Sequence, residues 1–227
     1  MNVKIVETTA QVVLVGGGAL QDKVLREVLQ YAKVVVAADG GANPVLSAGR
    51  MPDAVFGDMD SLSDDVKAQL APGVLRQVAE QESTDFDKCL RHIKAPLVIG
   101  YGFLGRRLDH QLAAMNVLVR RLETRCVLVG KYDVVCHCPP SIVLDLPIGS
   151  RFSLFPMRRV TARSEGLRWP LDGIPFAPGG VTGTSNEVSG PVRLEFEATG
   201  MLLILPAEHL DALVSSLENA PHWPVPA

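Results

Sequence analysis

Short, uninterrupted apolar runs recur along the first part of the chain, and each ends in glycine or aspartate. Val12-Val13-Leu14-Val15 runs into Gly16-Gly17-Gly18, Val34–Ala38 into Asp39-Gly40-Gly41, Ala54-Val55-Phe56 into Gly57-Asp58, and Leu97-Val98-Ile99 into Gly100. Such runs lack the alternation of a half-solvated strand, so they predict strands buried on both faces. With helices between them, they predict a parallel sheet. Residues 20–29 suit one such helix. Leu108, Leu112, Met115, Val119 and Leu122 follow steps of three and four and predict an apolar stripe on another. Ser83-Thr84-Asp85-Phe86-Asp87 reads as a helix start, a hydroxyl cap followed by acidic residues in the first turn. In that helix Phe86, Leu90 and Ile93 face the core, while Asp85 and Lys88 share a different face.

The pattern changes near Pro139-Pro140. Beyond it, strand-like segments at 142–144, 152–155, 192–196 and 201–205 are short and separated by glycine and proline, and 174–183 is rich in both. Residues 208–217 suit a closing helix, and the tail at 222–226 is expected to be loosely held. The expected fold is therefore α/β: a Rossmann-like parallel-sheet domain over residues 1–138, followed by a small all-β sandwich domain over 139–227.

Composition narrows the function classes. With 227 residues, 47% of them hydrophobic, the chain can bury a sizeable core. The net charge of −3 and the absence of a basic stripe argue against a nucleic-acid partner. No segment approaches the roughly 20 apolar residues needed to span a bilayer. The first residues do not read as a signal peptide, so no membrane partner is expected and the expected location is cytoplasmic. The 4 cysteines are unevenly spaced, and too few for a disulfide framework. Cys136-His137-Cys138 admits zinc, but no second ligand pair follows; the triplet reads as alternating positions of a strand.

The acidic residues carry the chemistry. Asp39 and Asp58 directly follow apolar runs, at the strand ends where open parallel sheets bind ligands. Asp60 follows within Gly57-Asp58-Met59-Asp60-Ser61, Asp85 lies at a helix start, and Asp109 sits at a strand-to-helix junction beside His110. Two such charges about 4 Å apart repel by about 4 kcal/mol at an effective dielectric of 20, so a converging set calls for a counter-charge. Hard oxygen ligands on open loops favour Mg²⁺, and Mg²⁺ favours phosphates. A single Asp more commonly caps a helix or completes a turn. That reading suits Asp39 alone, whereas Asp58 and Asp60 together favour the metal. Gly16-Gly17-Gly18 either admits a phosphate to backbone amides or makes a tight turn. Gln21 stands where the dinucleotide fingerprint has its last glycine, and no Walker-type loop is present. Arg107 and Lys88 are candidate phosphate partners.

Six blocks resemble the thiamine pyrophosphokinase (thiamine diphosphokinase) family. Four lie in the first domain: Asp39-Gly40-Gly41-Ala42-Asn43; Pro52-Asp53 through Gly57-Asp58-Met59-Asp60-Ser61; Gln81-Glu82-Ser83-Thr84-Asp85-Phe86-Asp87-Lys88; and Gly105-Arg106-Arg107-Leu108-Asp109-His110. Two lie in the second: Gly166-Leu167-Arg168-Trp169-Pro170-Leu171 and Gly183-Thr184-Ser185-Asn186. The resemblance implies a homodimeric enzyme that moves pyrophosphate from ATP to the hydroxyl of thiamine, with AMP released. It implies that Asp58, Asp60, Asp85 and Asp109 surround Mg²⁺ and the ATP phosphates as catalytic and metal-binding residues. Asp39, Asn43, Ser61, Thr84, Lys88, Arg107 and His110 complete the ATP side. Trp169, Ser185 and Asn186 form the thiamine pocket, in an active site shared between subunits. The family often carries two glycines before the arginine of its last catalytic block; here the second is Arg106. Two rival readings are an aspartate-dependent phosphohydrolase using Asp58 as nucleophile and a non-catalytic nucleotide or thiamine sensor.

Overall fold

The computed structural model describes residues 5–78, 80 and 82–224. The chain forms two compact units. One comprises the chain up to Val117 together with Leu128–Lys131; the other comprises Leu118–Val127 and the chain from Tyr132 onward.

The first unit runs β1 (Val6–Glu7), β2 (Val12–Val15), α1 (Asp22–Tyr31), β3 (Val34–Ala38), α2 (Ala42–Ser47), β4 (Ala54–Gly57), α3 (Asp64–Gln69), β5 (Leu75–Gln77), α4 (Asp85–His92), β6 (Ile93–Lys94) and β7 (Val98–Tyr101). Helix α5 (Leu108–Arg120) and strand β8 (Cys126–Val129) are divided between the units. Strands β7, β2, β3, β4 and β5 are neighbours in that order and pair in parallel. Every residue of β2 and β4 is buried, as expected of strands covered on both faces. Leu25 and Leu29, one turn apart on α1, pack with Val13, Val15 and Val35.

The expected stripe on α5 is only half a core face. Leu108 is 69% exposed and Leu112 59% exposed, whereas Ala114, Val117 and Leu118 are buried at the same helical spacing. Spacing shows which residues share a face; whether anything covers that face depends on tertiary context.

The second unit contains β9 (Asp133–His137), β10 (Ser141–Leu144), β11 (Arg151–Pro156), β12 (Ala162–Leu167), β13 (Gly183–Phe196), β14 (Met201–Pro206) and α6 (Leu210–Asn219). Its strands pair antiparallel, β9 with β14, β14 with β11, β11 with β13, and β13 with both β10 and β12. Strand β13 changes partners along its length. Its start, at Gly183 and Asn186, lies against β11, and its later residues, such as Leu194, lie between β10 and β12. The fold is thus α/β with mixed parallel and antiparallel pairing.

The tail is more firmly held than its composition predicts. The Arg125 guanidinium donates to the carbonyls of Leu217, Ala220 (2.8 Å) and Pro221 (2.9 Å), capping the carboxyl end of α6. Trp223 Nε1 donates to Cys138 O at 2.8 Å, and its ring stacks on His137. Residues 225 and 226 lie outside the described residues. A guanidinium and one anchoring aromatic hold carbonyls that a Pro-rich tail would otherwise leave to water.

Cys136 and Cys138 are buried and His137 between them is turned elsewhere, the alternation of a strand. All four cysteines are free and buried, and burial pushes the Cys136 thiol up to about 12. The His137 imidazole accepts the Gly200 N–H at Nε2, 2.8 Å away. Burial, reinforced by the Arg158 guanidinium, lowers its pKa from the ordinary 6.5 to about 4. The unfolded chain therefore takes up this proton before the folded one does. The stability His137 contributes is fully present above pH 6.5 and falls as pH drops from 6.5 towards 4. Urea unfolding near pH 4.5 is expected to show a loss of roughly 2 kcal/mol, relative to about pH 7, that His137→Gln lacks. Equal pH dependence in both proteins would contradict this.

Candidate active site

The carboxyl ends of β2, β3 and β7, with Ser61 from the loop after β4, line a cleft of about 590 Å³ in the first unit. Gly16-Gly17-Gly18 follows β2, and Gly102-Phe103 follows β7. The two loops touch: a Cβ on Gly18 would lie 2.3 Å from Gly102 O, so a side chain there would push them apart. Asp39 opens the turn after β3 with φ of 41°, a left-handed conformation unusual for a residue with a side chain. It is 5% exposed, and its Oδ1 has no hydrogen-bond partner. The end of β4 makes room for it, because a Cβ on Gly57 would fall 2.7 Å from Asp39 Cβ.

After β4, Met59 is also left-handed, with φ of 70°. Its side chain is buried with Ala37, Val55 and Leu62, anchoring the loop between two carboxylates. Asp39, Asp58 and Asp60 each bring a carboxylate oxygen within 4.8 Å of the others. An orphaned, buried carboxylate oxygen beside two further carboxylates is a poor arrangement for a protein on its own and a suitable one for a hard divalent cation.

Asp85 begins α4, capped by Thr84, whose hydroxyl accepts the Asp87 N–H at 3.3 Å. Lys88, one turn on, is 2% exposed and reaches Asp85 Oδ1 at 3.2 Å. It stands behind Asp85 rather than in the cleft wall. Burial raises the Asp85 carboxyl above its usual range; Lys88 opposes that shift, and the Asp39 and Asp58 charges add to it. Asp109 is placed differently. It is exposed and grips Arg107 through two bonds, at 2.6 and 3.2 Å, while accepting the His110 N–H at 3.0 Å. The Arg107 hydrogen bonds hold its carboxyl below the usual range. The cleft wall brings together Asp39, Asn43, Ser61, Thr84, Asp85, Arg107 and His110. Phe103 and Arg106, neither legible as a site residue in the sequence, line it too.

The second unit holds a separate pocket of about 260 Å³ with Trp169, Phe176, Thr184, Ser185 and Asn186 in its wall. Trp169 is 52% exposed, and the Arg168 guanidinium lies 4.7 Å from its ring centroid. Asn186, by contrast, is 7% exposed and its amide is spent on backbone. Its Oδ1 accepts from Trp169 N (3.2 Å) and Glu187 N (2.8 Å), and its Nδ2 donates to Trp169 O (2.7 Å). Ser185 is left-handed, with φ of 62°, at an irregularity in the β11–β13 pairing. Buried Ser153 on β11 accepts the Ser185 N–H at 3.1 Å. A serine among the apolar residues of the 152–155 segment was the sequence signal for Ser153.

Two family descriptions match the chain. Residues 25–129 match the catalytic domain of thiamin pyrophosphokinase, and residues 142–201 match its vitamin B1 binding domain. Thiamine pyrophosphokinase 2 of Arabidopsis thaliana is 30% identical over 193 residues, covering 70% of this chain and 72% of that protein. Thiamine pyrophosphokinase 1 of Oryza sativa subsp. japonica is 31% identical over 191 residues, covering 69% and 72%. The solved thiamin pyrophosphokinase from Candida albicans superposes with a TM-score of 0.73 at 14% identity, over 90% of this chain and 93% of that one. That from Geobacillus thermodenitrificans gives 0.71 at 24% identity, over 89% and 100%. These structures share the α/β fold with its mixed sheet.

Proposed function

The chain belongs to the thiamine pyrophosphokinase family, and from that premise we propose that it transfers the pyrophosphoryl group of ATP to the hydroxyl of thiamine, giving thiamine diphosphate and AMP. The observation that carries this reading is the carboxylate cluster of Asp39, Asp58 and Asp60, whose buried, unpartnered oxygen belongs to Asp39 in the wall of a glycine-lined cleft. The first domain (1–138) is read as Rossmann-like and binds ATP. The second (139–227) is read as a β-sandwich whose two sheets share β13, and it binds thiamine.

Asp58 and Asp60, with Asp39 adjoining and Asp85 alongside, would hold Mg²⁺. When bound, the cation supplies positive charge that offsets the polyphosphate. The closeness of Asp39 to Asp58 and Asp60 supports reading it as a further ligand, and the two bonds from Arg107 support reading Asp109 as the residue that orients Arg107 towards a phosphate. Gly16 and Gly18 donate their amides to Tyr101 O and Gly102 O, so in this loop the Gly17 amide is read as the phosphate donor, and Asn43, Ser61, Thr84 and His110 line the nucleotide's path. The thiamine hydroxyl oxygen attacks the β-phosphorus, the bond from that phosphorus to the α–β bridging oxygen breaks, and AMP leaves in line. Asp85, whose carboxyl burial raises above its usual range, takes the hydroxyl proton. Such chemistry needs positioning and electrostatics rather than a covalent intermediate. Trp169 offers its face to the cationic thiazolium; Ser185 lines the same pocket, and Asn186 fixes the Trp169 backbone. A homodimer with the site shared between subunits, in the cytoplasm, completes the proposal. Among the described residues no helix is long and apolar enough to cross a membrane.

The test is product analysis with ATP, Mg²⁺ and thiamine. AMP and thiamine diphosphate are expected in equal amounts. Free phosphate in their place would point to the phosphohydrolase, and binding of both substrates without turnover would point to the sensor.

A further inference from the structure

Arg106 is the residue at which this chain departs from the glycine usual in its family, and the backbone there has kept a conformation suited to glycine. Its φ is 70°, following Gly105 at 85°. A side chain with left-handed backbone is strained, and strain of this kind persists where something else favours the residue. The side chain lines the nucleotide cleft, and its guanidinium reaches across 89 residues of sequence to donate from Nη1 to Gly17 O at 3.4 Å. It therefore sits over the glycine loop proposed to receive the phosphates.

Each neighbouring cation already holds a carboxylate. Lys88 is buried against Asp85, and Arg107 is held through two bonds by Asp109. Arg106 is exposed, and its contact with Gly17 O engages one of a guanidinium's five N–H donors, leaving a planar fork for oxygen ligands. We propose that Arg106 is a further nucleotide-binding residue, one that clasps the Gly16–Gly18 loop through Gly17 and donates to the polyphosphate of ATP from the same guanidinium. The inference rests on the reading of this cleft as the ATP site. In this chain, a residue that would otherwise serve only the turn has become a phosphate contact.

Arg106→Gly separates this role from a structural one, because glycine is the better residue for the backbone. The variant is expected to keep or raise the thermal midpoint while the KM for ATP rises roughly tenfold, the size of one charge-assisted hydrogen bond. The KM for thiamine should stay within about twofold, and Arg106→Lys, which keeps the charge but loses the fork, should fall between. An unchanged KM for ATP would overturn the proposal, as would equal rises in both KM values. Calorimetric titration of the wild type and Arg106→Gly with Mg·ATP, without thiamine, reads the same contact independently of turnover. If the wild type transfers no pyrophosphate yet binds ATP tenfold more tightly than the variant, the proposed reaction fails and the role of Arg106 stands. If ATP binds both proteins equally, or neither, the role of Arg106 fails.

Discussion

Asp58→Asn is expected to lower turnover by roughly 100-fold or more while leaving the protein folded. Losing a partner that merely orients a metal ligand already costs 10- to 100-fold, and Asp58 is proposed to be a ligand itself. The fold should tolerate the change, and in the absence of divalent cation it should gain from it. Two carboxylates at the separation found among Asp39, Asp58 and Asp60 repel by roughly 3 kcal/mol at an effective dielectric of 20. An isosteric amide removes one of those charges. The thermal midpoint of Asp58→Asn should therefore equal or exceed that of the wild type in chelator, and added Mg²⁺ should raise the wild-type midpoint more than that of the variant. Wild-type rates in a folded Asp58→Asn protein would sink the ligand assignment.

Trp169→Ala is expected to raise the KM for thiamine about 10- to 30-fold while leaving the KM for ATP within about twofold. A desolvated cation over a tryptophan face is stabilised by up to about 2 kcal/mol, which sets the upper figure. The ring already hosts a cation, since the Arg168 guanidinium lies 4.7 Å from its centroid. The backbone of Trp169 is fixed from both sides by the Asn186 amide, so little ordering remains for the substrate to impose. Because Trp169 is 52% exposed, truncation should cost the fold little, and the loss should appear in binding. Trp169→Phe, which keeps an aromatic face, should recover part of the affinity. Equal effects on both substrates would remove Trp169 from the pocket.

What the sequence could reveal followed from whether one side chain's surroundings can be read from its neighbours. Strands β2, β3 and β4 were legible because they are buried on both faces, so their residues are apolar without interruption. Strand β12 was not, because Arg163 and Glu165 on its solvent side break any apolar run. The first half of β13 was hidden likewise by Thr184, Ser185 and Glu187. In the site, Asp58 and Asp60 stood out by position, whereas Asp39 looked like an ordinary turn residue. Its burial and unpartnered oxygen arise from Gly57 yielding space on a different strand, which no local pattern records. The helical spacing put Lys88 on the face of Asp85, away from the core; the two do pair, but Lys88 is buried. Asn186 read as a substrate contact because the family motif places it beside the pocket; its hydrogen bonds lead back to the chain itself.

The sulfur inventory has a practical consequence. Cys89, Cys126, Cys136 and Cys138 are all buried, and each thiol is pushed above its ordinary pKa, first of all by burial. Maleimides and other electrophiles attack the thiolate, so the native chain presents little for them to modify. One cysteine introduced on the surface near either pocket can therefore be labelled selectively without first removing the natural four. A cysteine introduced in each unit would carry a fluorophore pair that follows the two in solution, on a background whose own thiols stay silent.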